Sequence, residues 1–310
     1  MFSLLIKKFR DSHNLSQEDL AQILISFNGR DSIDVTTISR WERGINTPSV
    51  ANQLYTLRKL SIDFTLSSIA SNYPPHRLIN LLKPRFSRFS ALSDKPYRKL
   101  APSFTYTESD DLENFLMDDD LVKFSETMFA IEGETEDFWH SLPKTTFDHV
   151  RVFRFFKGSN LVAHLAYVVM NTIDIITLLE KLYKTEFSSD FAPEVDGKTL
   201  ICFSGYASDL AIYMFFTKVV VRQLADNHRI DWLIGHSFIN EDWQIHKKLG
   251  AKLIYQGDNL EEGGVKVGKQ RVRFVVFNSS VPTLLASPLG VLCEQDLDKK
   301  YCKIIELSQD

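Results

Sequence analysis

Apolar residues recur at helical spacing through the first 70 residues of the chain. They form four successive groups: Leu4, Leu5 and Phe9; Leu20, Ile23 and Leu24; Ile38 and Trp41; and Leu54, Leu57 and Leu60. Spacings of three and four residues place side chains on one face of a helix. The pattern therefore predicts a small all-α bundle over residues 1–70.

The next stretch, residues 71–105, has a different composition. It contains five prolines among repeated Ser, Arg and Lys residues: Pro74, Pro75, Pro84, Pro96 and Pro102. Proline interrupts helices and favours extended backbone. We expect a basic Pro/Ser-rich linker here, with a second domain over residues 106–310.

Strand and helix patterns alternate in the second domain. A hairpin is predicted from Val150–Phe156 and Leu161–Met170, followed by a helix over Ile173–Tyr183. Further strands and helices are expected in alternation: strands at Leu200–Phe203, Trp232–Ile234, Lys252–Tyr255 and Arg271–Phe277, and helices at Leu210–Ala225 and Asp242–Leu249. This order predicts an α/β (α+β) domain built on a mixed sheet.

The composition narrows the class of protein. The chain has 310 residues, of which 44% are hydrophobic and 25% charged. Its longest apolar stretches are interrupted by His164 and Lys218, so we expect no membrane contact. The three cysteines show no CxxC spacing, and the first residues lack the order of a signal peptide. We therefore expect a cytoplasmic protein without a metal site.

Charge is divided unevenly along the chain. Of the 36 Lys/Arg and 40 Asp/Glu residues, residues 1–105 hold 15 and 8, which leaves 21 and 32 for residues 106–310. Because cationic side chains that neutralise phosphates release counterions, the basic part suits double-stranded DNA. The acidic remainder would be repelled by the same duplex.

Two helix signatures stand close together in the basic part. Ser16 and Asp19 are spaced as in a capping box and predict a helix over Gln17–Phe27. A second helix is predicted from Asp34 to Arg43, ending at Gly44. The apolar residues of this second helix fall on one side, and Thr36, Ser39, Arg40 and Arg43 on the other.

The polar face of this second helix has the chemistry of a DNA-reading surface. Arginine can bond guanine through two hydrogen bonds, and threonine offers a methyl group to thymine. Arg40 is our candidate for base recognition.

The segments LSQEDLAQIL and VTTISRWERGINTPS resemble the Xre/Cro (lambda-repressor-like) helix-turn-helix family, over about residues 2–62. The resemblance implies that Gln17 contacts phosphate and that Thr36, Thr37 and Arg40 read bases. It also implies that Arg43 and Asn46 hold the DNA backbone. The stretch between the two helices, residues 26–33, is longer than the usual turn of this family.

The strand and helix order from residue 200 onward, with the segment NEDWQIHKKLGAKLIYQG, resembles the second half of the GNAT N-acetyltransferase fold. The resemblance implies an acyl-CoA loop at Tyr206, Ala207, Ser208, Leu210 and Ala211. It also implies a general acid at His246. The loop lacks the glycines of the family, and Asp209 would repel phosphate.

Together these features predict a homodimeric transcription regulator whose C-terminal domain senses a small molecule, dimerises, or does both, with no required cofactor. Two alternatives remain open. One is an acyl-CoA-dependent N-acyltransferase fused to a DNA-binding domain, and the other is an antitoxin-like interaction protein.

Overall fold

The computed structural model describes residues 1–28, 33–66, 77, 80–85, 105–111, 147–157, 160–183, 185–186, 197–207 and 210–293. The first part is helical, as predicted. Its helices are α1 (Phe2–Ser12), α2 (Gln17–Asn28), α3 (Val35–Glu42) and α4 (Val50–Lys59). The predicted pair of helices corresponds to α2 and α3.

Local signals set the ends of α2 and α3. The backbone N–H of Asp19 donates to Ser16 Oγ at 3.0 Å, which is the expected capping contact. The backbone N–H of Thr37 donates to the Asp34 carboxylate at 2.6 Å, so Asp34 caps α3. Gly44 follows α3 with a φ of +67°, a left-handed conformation that suits glycine.

The second part contains a seven-stranded mixed sheet. Its strands are β1 (Thr105–Ser109), β2 (His149–Lys157), β3 (Asn160–Asn171), β4 (Lys198–Ala207), β5 (Ile230–Ser237), β6 (Lys252–Gln256) and β9 (Val275–Ser280). They lie in the order β1-β2-β3-β4-β5-β9-β6, and neighbouring strands are antiparallel except β4 and β5, which are parallel. The mixed α/β domain predicted from the sequence is confirmed.

Helices connect and cover this sheet. They are α5 (Thr172–Tyr183), α6 (Leu210–Asp226), α7 (Asn240–Lys248), α8 (Val281–Leu285) and a 3-10 helix (Pro288–Cys293). The helix α6 makes the crossover between the parallel strands β4 and β5. One face of the sheet packs against α6 and α8, and the other against α5.

The strand predicted at Arg271–Phe277 is wrong in its extent. Residues Gln270–Val272 form β8, which pairs with β7 (Val265–Val267) in a separate hairpin and makes an isolated bridge from Val272 to Asn259. The chain enters the main sheet again at Val275. Val265 and Val272 of the hairpin are buried in one cluster with Val275 and Phe277 of β9, whereas Val276 is buried in the core on the α5 face of the main sheet.

The interval expected to be a linker includes helical residues. Residues 80–85 are helical, and Leu82 is buried in the same core as α6 and α8. Arg85 is 1% exposed. This segment therefore packs against the sheet domain, and the domain limits at 70 and 105 remain a prediction.

Candidate functional site

The outer surface of α3 carries most of the predicted DNA-contacting residues. Ile38 and Trp41 are buried in the helical core, where Phe2 meets Trp41 edge-on at 5.6 Å. This anchoring turns the opposite face outward. Four predicted residues are exposed and two are half-buried: Thr36, Arg40, Arg43 and Asn46, then Thr37 and Ser39.

Charge and polar groups on this surface suit a nucleic acid. Arg40 has its guanidinium on the exposed face, and its charge helps to lower the pKa of Asp34, although the hydrogen bond from Thr37 is the main cause. Arg43 Nε donates to the backbone oxygen of Ser39 at 3.2 Å, which sets the direction of its side chain. The arrangement can present two guanidinium groups to bases and phosphates.

Glu42 at the end of α3 joins three helices. Arg10 Nε of α1 donates to Glu42 Oε1 at 2.6 Å, and Gln17 Nε2 of α2 donates to Glu42 Oε2 at 2.8 Å. The Glu42 side chain is 5% exposed. Gln17, predicted to contact phosphate, is thus half-buried and tied to α3 through one of its two amide hydrogens. The sequence analysis did not identify Arg10 or Glu42, because neither belongs to the apolar pattern.

A second candidate site lies where β4 and β5 separate. The two strands pair as far as Cys202 and Gly235, and both continue beyond that point. A cavity of about 210 Å³ opens between them. Its walls come from the strands β3, β4, β5 and β9, from the helices α6, α7 and α8, from the 3-10 helix, and from the helical segment 80–85. The lining is mostly apolar, with Leu165, Phe216, Val220, Leu233, Phe277 and Leu284 among its residues.

Arg85 crosses one side of this cavity. Its Nη1 donates to the backbone oxygen of Ala207 at 2.7 Å, and its Nε forms an ion pair with Asp242 Oδ1 of α7. Its guanidinium also lies 4.6 Å from the centre of the Tyr213 ring. Burial raises the pKa of Asp242, and the charge of Arg85 opposes that shift. The pair therefore links α7 to the end of β4 across the cavity.

His246, the predicted general acid, lines the cavity and stacks on Phe277 with 4.3 Å between ring centres. Burial, assisted by the nearby charge of Arg85, lowers the pKa of His246 to about 4. The imidazole is therefore neutral at pH 7. Its Nδ1 is buried and has no hydrogen-bond partner among the residues that the structure describes.

The predicted acyl-CoA loop is only partly described. Tyr206 and Ala207 end β4 and line the cavity, whereas Leu210 begins α6 and does not line it. Ser208 and the side chain of Ala211 lie outside the described residues. Burial raises the pKa of Tyr206. Within the described ranges, the guanidinium that lines the cavity is that of Arg85, and it already binds Asp242.

Several cavity residues were not predicted from the sequence. Arg85 lies in the stretch predicted to be a linker, and Tyr213 belongs to an apolar helix. His236 of β5 also lines the cavity, but its ring contacts Tyr183 and Phe274 of the core on the α5 face, with Nε2 2.5 Å from Tyr183 Oη. Burial lowers the pKa of His236 to about 4. No sequence motif marks these residues, because they come from distant segments.

The described residues show neither a metal-ion cluster nor a membrane-spanning helix. Within them, no cluster of three or more His, Cys, Asp or Glu residues is arranged to hold a metal ion. The helices described in this chain include none with the length and apolar character needed to cross a membrane.

Several solved structures are similar to this chain at low identity. The acetyl-CoA complex of NAA60 from Arabidopsis thaliana is 10% identical, covers 57% of this chain and 98% of its own, and has a TM-score of 0.34. A probable acetyltransferase from Staphylococcus epidermidis is 13% identical, with coverage of 57% and 98% and a TM-score of 0.30. FeeM, an N-acyl amino acid synthase from uncultured soil microbes, is 14% identical, with coverage of 59% and 98% and a TM-score of 0.33. Values this low do not establish a shared fold. The description of the sheet domain therefore rests on its own strand order.

The N-terminal part has a more direct match. Residues 6–52 match the family model described as Helix-turn-helix, which spans α2 and α3. No curated protein matches the chain. The chain therefore carries a helix-turn-helix domain at residues 6–52, followed by a domain built on a mixed α/β sheet.

Proposed function

We propose that this protein is a sequence-specific, DNA-binding transcription regulator that acts in the cytoplasm. The observation that carries the proposal is the exposed surface of α3 and of the turn that follows it, where Thr36, Arg40, Arg43 and Asn46 are exposed while Ile38 is buried. In helix-turn-helix proteins the second helix enters the major groove and its outer side chains contact base edges. The partner is double-stranded DNA.

The role of each residue follows from its position on α3. Arg40 reads bases, together with Thr36 and Thr37 at the start of the helix. Arg43 and Asn46 bind the DNA backbone after the helix end. Gln17 contributes its remaining amide hydrogen to a phosphate, while Glu42 holds the other.

The regulator binds DNA as a homodimer. A single helix-turn-helix domain reads only a few base pairs, and two-fold dimers reach specific affinity by spanning half-sites roughly 34 Å apart. The acidic domain serves dimerisation, effector sensing, or both, because its excess of carboxylates keeps it off the duplex.

Selection from a pool of random-sequence DNA duplexes tests this proposal. The full chain should enrich a defined site with two-fold symmetry and bind it at least about 1,000-fold more tightly than a scrambled duplex. The affinity should fall steeply as salt rises, because phosphate contacts release counterions. Enrichment of no sequence, or equal affinity for selected and scrambled duplexes, would refute the proposal.

The second candidate function is an acyl-CoA-dependent N-acyltransferase. The observation that favours it is the cavity between β4 and β5, which Tyr206 and His246 both line. Calorimetric titration of the full chain with acetyl-CoA and with a long-chain acyl-CoA tests it, with His246→Ala as the comparison. Micromolar binding followed by turnover that depends on His246 would support the enzyme. If neither compound binds, the acyltransferase function is refuted.

A further inference from the structure

The helix α4 belongs to two hydrophobic cores at once. Leu57 is fully buried in the core of the helix-turn-helix domain, together with Ile38 and Trp41. Leu54 is fully buried in the core of the sheet domain, with residues of α6 and α8. The DNA-reading helix α3 and the cavity domain are thus joined through two neighbouring side chains of one helix, Leu54 and Leu57.

Arg58 of α4 also connects the two domains, through hydrogen bonds. Its guanidinium donates to three backbone oxygens at and after the end of α6: Leu224 at 2.7 Å, Asn227 at 2.9 Å and Ile230 at 2.6 Å. Arg58 is 3% exposed. The last carbonyls of a helix have no partner within the helix and carry partial negative charge. Arg58 therefore caps α6 from the other domain.

The other turns of α6 form a wall of the cavity. Tyr213, Phe216 and Val220 all line it. A second wall carries Leu284 of α8, and α8 packs directly against α4. Both α6 and α8 contact α4 directly, so a movement of either cavity wall can displace α4.

The chemistry of the cavity favours a neutral, largely apolar occupant. Its charged pair, Arg85 and Asp242, is already joined, so an incoming carboxylate or amine would be buried without a partner of opposite charge. His246 offers a buried Nδ1 with no partner in the described part of the chain. At about 210 Å³ the cavity exceeds the roughly 150 Å³ of an engineered apolar cavity that holds benzene.

We propose that this cavity is an effector site for a neutral acyl compound, such as an amide or ester, whose polar group hydrogen-bonds to His246. Occupancy of the site changes DNA affinity through α6, Arg58 and α4. The inference rests on the proposed DNA-binding function, and it adds the site, the ligand class and the route. It requires no transfer of the acyl group.

Binding is tested first, by calorimetry with octanamide and octanoate on the full chain. Octanamide should bind at least about 10-fold more tightly than octanoate, because the amide can be buried without desolvating a charge. Val220→Phe should abolish octanamide binding, because the larger side chain fills the cavity. Equal binding of both compounds, or unchanged binding to Val220→Phe, would overturn the assignment of the site.

Coupling is tested next, by measuring the affinity for the selected DNA duplex with and without saturating octanamide. Octanamide should change the affinity of the wild type by about 5- to 150-fold, and DNA should change the affinity for octanamide by the same factor. In Arg58→Met the factor should fall below about twofold while octanamide still binds. Arg222→Met, on the exposed side of α6, should keep the wild-type factor.

Arg58→Lys provides the same test if the methionine variant does not fold. A lysine retains a charge but cannot donate to all three carbonyls, so the factor should shrink without vanishing. If octanamide leaves the DNA affinity of the wild type unchanged, the inference of an effector site is overturned, but the proposed DNA-binding function is not. Failure of the unliganded wild type to bind any selected duplex would instead refute the proposed function.

Discussion

The guanidinium of Arg58 in α4 donates a hydrogen bond of 2.7 Å to the backbone oxygen of Leu224 in α6, across 166 positions of the sequence. This contact ties the helix-turn-helix domain to the sheet domain through a side chain that is almost fully buried. Burial lowers the pKa of Arg58 to about 10, so the guanidinium remains charged at neutral pH. A charged donor thus faces the negative end of α6.

Arg58→Met should lower the free energy of unfolding by about 3 kcal/mol, because each buried acceptor left without a donor costs roughly 1–3 kcal/mol. Urea denaturation of the full chain measures the loss. Arg222→Met is the control, since Arg222 is 66% exposed and its ion pair with Asp226 at 3.7 Å should contribute little. Equal losses in the two variants would contradict the capping role of Arg58.

Glu42→Ala should destabilise the helix-turn-helix domain and weaken DNA binding together. The substitution leaves Arg10 and Gln17 without their shared acceptor, at a cost of roughly 1.5–3 kcal/mol for the charged hydrogen bond. The exposed Glu18→Ala serves as the control. Thermal unfolding and DNA affinity of both variants provide the measurement, and a Glu42→Ala protein with wild-type stability would contradict the network.

Gly44→Ala should cost about 1–2 kcal/mol, because a left-handed conformation is unfavourable for any residue with a Cβ atom. The cost is conformational, since an added Cβ would lie 3.9 Å from its nearest neighbour, Ser3 Oγ. Gly205→Ala is the matched control, because its nearest contact would be an ordinary 3.4 Å and its φ is not in the left-handed region. If both variants lose the same stability, strain at Gly44 is not the cause.

Stability should fall as the pH is lowered from about 6.5 to 4, because His246 titrates differently in the two states. In the folded protein burial lowers its pKa to about 4, from the usual 6.5. In this range the unfolded chain therefore binds a proton that the folded protein does not. The free energy of unfolding should fall by up to about 1.4 kcal/mol per pH unit for each such histidine. Urea midpoints at pH 7.5, 6 and 5 show the slope.

His246→Phe should reduce that slope, since a phenyl ring keeps the stacking on Phe277 but takes up no proton. Replacement of the exposed His13 by Asn should leave the slope unchanged. A slope that His246→Phe does not alter would show that the imidazole is not buried in a neutral form.

The helix-turn-helix domain was predictable because its signals are local. Ser16, Asp34 and Gly44 mark helix ends within a few residues of the groups they contact, and Ile38 and Trp41 define the buried side of α3. The outward face of α3 follows from that side. Most strands of the main sheet were also predictable, although most extend beyond the predicted limits by one to four residues. The strands β1 and β7 were not predicted.

The joint between domains and the charged pair in the cavity were not predictable in this way. Arg58 binds carbonyls at least 166 positions away, and Arg85 binds Ala207 across 122 positions. Nothing local distinguishes these arginines from solvent-exposed ones, and the nearby prolines favoured a linker around Arg85. Glu42 was missed for the same reason, since its partners lie on other helices.

The most direct measurement compares Arg40→Ala with Arg43→Ala on the selected DNA duplex and on a scrambled one at the same salt concentration. Arg40→Ala should lose about 1–3 kcal/mol on the selected duplex and much less on the scrambled one, because a base contact is lost. Arg43→Ala should weaken both duplexes by similar factors, because a phosphate contact carries no sequence information. Equal losses on both duplexes for Arg40→Ala would contradict base reading by α3.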